Sequence, residues 1–135
     1  MVGVDAFVEA LRQLGYEPEH RGNGLVAFDY EVEVGPLAGH VVKLALQVPG
    51  DWPASPPGGL MVSPRLLPIN TDASLGHPRG AVHEAPQLGS DWEYWSRPFH
   101  AWPTTDRTAA AYMSYVRRLF DTLPDDLDEA LPDAA

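Results

Sequence analysis

Hydrophobic and polar residues alternate most regularly between residues 26 and 34, which predicts a half-buried strand with an acidic outer face. The apolar positions of this run are Val26, Phe28, Tyr30, Val32 and Val34. A second alternating run, His40 to Val48, follows a short turn at 35–39. Two such runs joined by a short turn predict an antiparallel hairpin.

Two other segments repeat their apolar residues every three or four positions, which is the spacing of an amphipathic helix. The first predicted helix runs from Asp5 to Leu14; its first residue can cap it and Gly15 can end it in a left-handed turn. The second runs from about Thr105 to Leu123, capped by Thr104 or Thr105. Its apolar stripe comprises Ala109, Tyr112, Val116, Leu119, Phe120 and Leu123.

Proline organises the chain between the hairpin and the last helix. In Trp52-Pro53-Ala54-Ser55-Pro56-Pro57, each proline fixes its own φ and keeps the preceding residue out of the helical region. This run predicts a stiff, extended crossing to a third strand at Leu60 to Val62. Residues 64–103 have no periodicity but hold three of the four tryptophans, and so much aromatic surface predicts an irregular structure packed over the sheet.

Together these elements predict an α+β fold for residues 1–123, which we read as one domain. We expect an amino-terminal helix beside a three- or four-stranded antiparallel meander, with the 105–123 helix closing the other side. Residues 124–135 are acidic and lack a basic residue, so we expect a flexible, solvated tail.

The amino-acid composition excludes several kinds of chemistry. The chain has no cysteine, which excludes disulfides, cysteine-ligated zinc and a thiol nucleophile. Its net charge of −10 argues against nucleic acid and anionic membranes as partners. Because no apolar stretch is long enough to span a membrane and no secretory signal is visible, we expect a cytoplasmic protein.

The order of the elements and the aromatic-Pro-x-x-Pro-Pro crossing at 52–57 resemble the ubiquitin-conjugating enzyme superfamily, the UBC-like fold. Trp95-Ser96-Arg97-Pro98 is similar to the Trp-Ser-Pro element of its classical members. Trp92-x-x-Trp95-Ser96-Arg97, followed by Trp102-Pro103 and a helix with Val116-Arg117-Arg118-Leu119, resembles a divergent prokaryotic family from bacterial ubiquitin-like conjugation operons. The resemblance implies two partners, a ubiquitin-like modifier and its activating enzyme.

The sequence departs from this family where a His-Pro-Asn element and the active cysteine are expected. Counting from Pro57 puts Leu67-Pro68-Ile69 at the His-Pro-Asn position and His77 at the cysteine position. Counting from His77-Pro78 instead puts Gln87 at the cysteine position, so neither register supplies a thiol. In the first register, Asn70 is the candidate for the missing oxyanion-stabilising asparagine.

Transfer of an activated carboxy-terminus requires a nucleophile, a base and donors for the oxyanion. The candidates are Ser96, Ser90 and Ser74 as nucleophile, with His83, His77 or His100 as base. We favour Ser96 and Ser90 with His83 or His77, because these hydroxyls lie in the same region of the sequence as the histidines, which can accept a hydroxyl proton near neutral pH. In the alternative interpretation, Ser96 caps a turn and the histidines are surface or packing residues.

The crossing supplies the predicted partner-binding residues, which are Trp52, Pro53, Pro56 and Pro57. Within it the Trp52 ring is expected to pack rather than to bind a ligand, and Arg97 to stack on a tryptophan or brace the 64–103 segment. The histidine spacing matches no helical metal pair, so we expect neither a metal nor a cofactor. Two functions stay open: an enzyme that accepts a ubiquitin-like modifier, and a non-catalytic module that binds the modifier or its activating enzyme.

Overall fold

The computed structural model describes residues 2–130. Its two α-helices and six β-strands are α1 Val4–Gln13, β1 Glu19–His20, β2 Leu25–Glu31, β3 Val41–Gln47, β4 Gly58–Ser63, β5 Val82–Glu84, β6 Glu93–Trp95 and α2 Ala109–Asp121. Short 3-10 turns lie at Ala73–Leu75, Trp102–Thr104 and Asp125–Ala130. The α+β class predicted from the sequence is confirmed.

All strands of the described chain belong to one antiparallel sheet in the order β1-β2-β3-β4-β6-β5. The predicted hairpin is present as β2 and β3, and the predicted third strand is β4. The expected number of three or four strands is wrong. The sequence-based prediction missed β1, which has two residues, and the three-residue strands β5 and β6, because runs this short show no measurable alternation.

The boundaries of α1 lie within one residue of the predicted ones, but α2 begins four residues later than predicted, and both predicted amino-terminal caps are wrong. In α1 the capping position is Gly3, and no side chain bonds to the exposed amides there. In α2 it is Thr108, whose hydroxyl accepts a hydrogen bond from the backbone N–H of Ala111 at 3.1 Å. Gly15 has a φ of 98°, so the left-handed turn expected after α1 is present.

Both helices pack on the same face of the sheet, so α2 does not close the opposite side as expected. Phe7 and Leu11 of α1 share one buried cluster with Val116 and Phe120 of α2 and with inward residues of the strands such as Leu44. The other face carries a smaller cluster, which comprises Ala27, Ala45, Met61, Ala85 and Trp92. Residues 85–92, which link β5 to β6, therefore cover part of that face.

The end of the chain is described as far as residue 130. Within the predicted tail, a 3-10 turn spans Asp125–Ala130, and the half-buried side chain of Leu127 packs against the main core. The last residues of the predicted tail, 131–135, lie outside the described residues. Within residues 2–130, no helix combines the length and the apolar character needed to cross a membrane.

Candidate functional site

The candidate site lies where the 64–103 segment joins the sheet, on the β5–β6 pair. Val82 pairs with Trp95, and His83 pairs with Tyr94. The side chains of Val82 and Trp95 are fully buried in the main core. Since side chains alternate along a strand, His83 and Tyr94 project from the outer face of the sheet, and their ring centroids are 5.7 Å apart.

Ser96 continues this outer face one residue beyond β6. Its backbone N–H donates to the carbonyl of Ala81 at 3.0 Å, so the strand pairing extends to it. Its side chain therefore lies diagonally across the pair from His83, a relation that places residues roughly 7–8 Å apart. A group held between them could contact both side chains, but no hydrogen bond within residues 2–130 joins them directly.

His77 occupies a different environment, between the 64–103 segment and α2. One ring nitrogen, Nδ1, accepts a hydrogen bond from Nε of Arg97 at 2.8 Å. The other, Nε2, lies 2.7 Å from the carbonyl oxygen of Leu119 in α2. Its ring also packs at 5.6 Å from the indole of Trp95. These contacts fix the imidazole from three sides.

The two hydrogen bonds define the protonation state of His77. Nδ1 accepts from a guanidinium that always carries protons, so the ring proton resides on Nε2 and is donated to Leu119. Burial lowers the pKa of His77; the hydrogen bond to Leu119 opposes this shift, and the nearby positive charge of Arg97 adds to it. A neutral imidazole whose only lone pair is already engaged has no free position from which to accept a proton from a serine.

The other predicted nucleophiles lie apart from the histidines. Ser90 is exposed in the 85–92 link. Ser74 is exposed in the 3-10 turn, where its hydroxyl donates to the carboxylate of Asp72 at 2.7 Å. None of the serine hydroxyls of the described chain is hydrogen-bonded to a histidine. The catalytic assignment of Ser96, Ser90, His83 and His77 stays a prediction.

Asn70 lies close to the β5–β6 pair but is already committed to local contacts. Its backbone forms a bridge with Val82, the residue before His83, through hydrogen bonds of 2.8 and 3.0 Å. Its side-chain oxygen accepts from the backbone N–H of Asp72 at 3.0 Å, which closes an Asx turn. The side-chain NH₂ is the part of Asn70 that is left to face a ligand.

The Trp52–Pro57 crossing is held between α1 and the 3-10 turn at Trp102–Thr104. The Trp52 ring is buried and packs edge-on against Phe7 with centroids 5.2 Å apart. The carbonyl of Pro53 accepts a hydrogen bond from the indole N–H of Trp102 at 2.9 Å. Pro53 and Pro56 are half-buried and Pro57 is buried. The packing role of Trp52 is thus present, while partner binding by the crossing stays a prediction.

Sequence reasoning missed Glu93, which has no exposed surface at all. Its Oε1 accepts hydrogen bonds from the backbone N–H groups of Leu66 at 2.6 Å and Leu67 at 3.0 Å. Burial raises the pKa of this carboxyl, although the two donors oppose that shift. The sequence feature that could have pointed to Glu93 is its position as a single acidic residue between Trp92 and Tyr94, in a run that is otherwise aromatic.

Arg97 braces the segment, as the sequence suggested. Besides its bond to His77, Nη1 donates to the carbonyls of Ala81 and Ser96, each at 3.1 Å. The hydroxyl of Tyr115 in α2 donates to the carbonyl of Arg97 at 3.3 Å. The side chain and the backbone carbonyl of Arg97 together therefore connect the start of β5, the end of β6 and α2.

The comparisons with known proteins identify no relative. No protein-family model matches this sequence, and no similar curated protein or solved structure is found. Within the described residues, no three histidine, aspartate or glutamate side chains gather in a group that could hold a metal ion. The function must therefore be argued from the site itself.

Proposed function

We propose that this chain is a ubiquitin-conjugating-enzyme-like component of a bacterial ubiquitin-like conjugation pathway, in which it positions the modifier for transfer and acts in the cytoplasm. Its partners are the ubiquitin-like modifier and the activating enzyme. Support comes from the order of its parts: a helix, an antiparallel meander, the aromatic-Pro-x-x-Pro-Pro crossing at 52–57, the irregular 64–103 segment and a final helix.

The environment of His77 favours positioning over covalent transfer. This histidine stands at the cysteine position in one of the two registers, and both of its ring nitrogens are occupied by Arg97 and Leu119. With no cysteine in the chain and no hydrogen-bonded serine–histidine pair in residues 2–130, a covalent intermediate lacks an activated nucleophile. His77 then acts as a structural link that holds the 64–103 segment against α2.

The proposed partner surface includes the amino-terminal end of α1. The backbone N–H of Gly3 donates to the carbonyl of Trp52 at 2.9 Å, so the start of the helix and the crossing touch. Ala54 is exposed at the tip of the crossing, and Val2 is 64% exposed beside α1. We infer that α1, the loop before β2 and the crossing form one interface, of roughly 1,200–2,000 Å² in total if it is of standard size.

A pull-down with the cognate modifier and activating enzyme tests this proposal. We expect recovery of at least one of them at tens of micromolar, and a clear loss of recovery for Ala54→Arg. The matched control is Ala38→Arg, an identical change at another exposed alanine, in the turn at the opposite end of β2 and β3. Recovery of neither protein, or equal losses in both variants, would count against the proposal.

Ester formation by Ser96 is the second candidate, which the shared outer face of Ser96 and His83 favours. The Ser96 hydroxyl would attack the activated carboxy-terminal carbonyl of the modifier and pass its proton to His83. The activating group would then leave with the electron pair of the bond that breaks. Such an ester survives a reducing agent but is cleaved by hydroxylamine.

Incubation of the chain with activating enzyme, modifier and ATP separates the two candidates. The positioning role predicts binding without an adduct. A reductant-resistant, hydroxylamine-sensitive adduct that disappears in the variant with Ser74, Ser90 and Ser96 changed to alanine would establish the ester instead. An adduct that persists in that variant would contradict both assignments.

A further inference from the structure

One edge of the sheet is left mostly unpaired, at the end remote from the candidate site. β2 has seven residues, but β1 pairs with only Val26 and Ala27. Pro18 precedes β1, and proline lacks the N–H that would continue the ladder. The second half of β2 therefore has a partner on the β3 side only.

The hydrogen bonds show which residues of β2 face the open edge. The backbone N–H of Val32 donates to His40 and that of Val48 donates to Gly24, so the even-numbered residues bond toward β3. The backbone N–H and C=O groups of the odd-numbered residues point away from β3, toward the open edge. The hydrogen bond from the backbone N–H of Arg21 to the carbonyl of Leu25 confirms this direction. Within the described chain, no hydrogen bond reaches the outward N–H and C=O groups of Asp29 and Glu31.

A cleft of about 460 Å³ lies along this edge. It is lined by the 15–19 segment on one side and by Asp29, Glu31, Val41 and Lys43 on the other. The Val41 side chain is 58% exposed and the Ala27 side chain is small, so the floor of the cleft is partly apolar. The Tyr16 ring, which packs on Phe28 with centroids 5.2 Å apart, also lines the cleft, so an extended backbone would reach β2 beside this ring.

The charges around the cleft are unbalanced. Four carboxylates line it, from Glu17, Glu19, Asp29 and Glu31, against the two cations of Arg21 and Lys43. The cations pair with Glu19 at 3.7 Å and Asp29 at 3.2 Å, which leaves Glu17 and Glu31 without an ion-pair partner in residues 2–130. The cleft has a net charge of −2, which is the four acids less the two bases.

We propose that this cleft binds an extended peptide segment with basic residues at alternate positions, which adds to the sheet as a strand beside β2. The peptide backbone would bond to the outward groups of Asp29 and Glu31, and its basic side chains would face Glu17 and Glu31. A second copy of the chain is disfavoured as the occupant, because pairing this edge with itself would place like charges opposite one another. The proposal does not depend on the conjugation role.

The test uses the full chain and a labelled octapeptide that alternates lysine with threonine or valine. We expect saturable binding by fluorescence anisotropy, weakened in high salt because exposed charges are screened. NMR hydrogen exchange should show the Asp29 and Glu31 amides slowed by the peptide. A control peptide of the same sequence, methylated on the backbone nitrogens that face β2, should bind at least roughly threefold more weakly, the effect of one or two lost hydrogen bonds.

Variants separate the charge from the backbone contact. Glu31→Gln removes the charge alone, whereas Glu31→Pro also removes the outward N–H, at an edge position where proline costs no bond of the ladder. We expect the proline variant to bind more weakly than the glutamine variant. Glu84→Gln, at an exposed position on the far strand β5, is the charge-matched control and should leave binding unchanged.

Three results would overturn the proposal. The first is no binding at millimolar peptide, and the second is binding that leaves the two amides unprotected. The third is protection that grows with protein concentration in the absence of peptide, since this would identify a second copy as the occupant.

Discussion

A carboxylate without exposed surface is costly to ionise, and Glu93 offsets part of this cost through the backbone N–H groups of Leu66 and Leu67. The same bonds fix the start of the 64–103 segment to β6, so this buried acid has a structural role. Because its pKa in the folded protein is raised, the folded state binds its proton more tightly than the unfolded state does.

This raised pKa predicts the sign of a pH dependence. The contribution of Glu93 to the free energy of unfolding should be greatest below its ordinary pKa of 4.5 and should fall as the pH rises through the raised value. Glu93→Gln retains an oxygen acceptor but cannot ionise. We expect wild type to lose stability relative to Glu93→Gln between acidic and neutral pH, measured by urea unfolding. Glu17→Gln, at an exposed position, is the control, and a pH-independent difference for Glu93→Gln would contradict the prediction.

The lowered pKa of His77 predicts the opposite dependence of stability on pH. Its folded-state pKa is lowered, so the folded protein favours the neutral ring, and stability should fall as the pH drops below the ordinary value of 6.5. Protonation would also place an N–H at Nδ1 against Nε of Arg97. His77→Gln can still donate to Leu119 and accept from Arg97 but does not titrate. We expect the difference in unfolding free energy between wild type and this variant to shift against wild type on acidification. A constant difference between pH 7 and pH 5 would show that the ring is not held neutral.

At the scale of elements, α2 starts at a different capping residue in the structure than the sequence predicted, and the stability of capping variants can tell the two starts apart. Thr108 caps the helix in the structure, whereas Thr104 was a predicted cap and instead donates its hydroxyl to the carbonyl of Ala101 at 2.7 Å. We expect Thr108→Ala to lower the free energy of unfolding by about 1 kcal/mol, the usual value of an amino-terminal cap. The exposed-site change Thr104→Ala should cost less than about 0.5 kcal/mol. Thermal or urea unfolding of both variants checks this, and the reverse order would support the earlier helix start.

The sequence predicted the elements whose pattern is long enough to repeat. Both helices and strands β2 and β3 follow from helical spacing or alternation, β4 follows from the short apolar run after the proline crossing, and the apolar stripe of α2 is buried as expected. The short strands could not be predicted, because β6 is held by pairing with β4 and β5 by pairing with β6, and because side chains such as Glu93 and Arg97 bond across the segment. Contacts between residues far apart in sequence leave no local pattern.

The candidate site illustrates the same limit. The sequence placed histidines and serines in one region, but only the strand register distinguishes His83, which shares a face with Ser96, from His77, which lies against α2. Which side chains meet is decided by the register of a three-residue strand, and neither residue type nor spacing encodes it.

At the scale of the whole molecule, the two faces of the sheet are unequally covered. The main cluster joins both helices, the sheet and much of the 64–103 segment, whereas the outer cluster has five buried residues, three from the sheet and two, Ala85 and Trp92, from the 85–92 link. A link without regular secondary structure can shift into a space that opens beneath it more readily than two packed helices can. The outer face should therefore tolerate the loss of buried volume better.

Neighbouring residues of β4 provide a matched comparison of the two faces. Leu60 belongs to the main cluster and Met61 to the outer one, and they are almost equally buried, with 2% and 3% of their surfaces exposed. Truncation of either to alanine removes a side chain of similar size, so the difference reports how far the surroundings relax. We expect Leu60→Ala to cost about 4 kcal/mol and Met61→Ala about 2 kcal/mol in guanidinium unfolding monitored by tryptophan fluorescence. Equal costs would mean that the 85–92 link is as rigid as the helices, and a larger cost for Met61→Ala would place the more tightly packed core on the outer face.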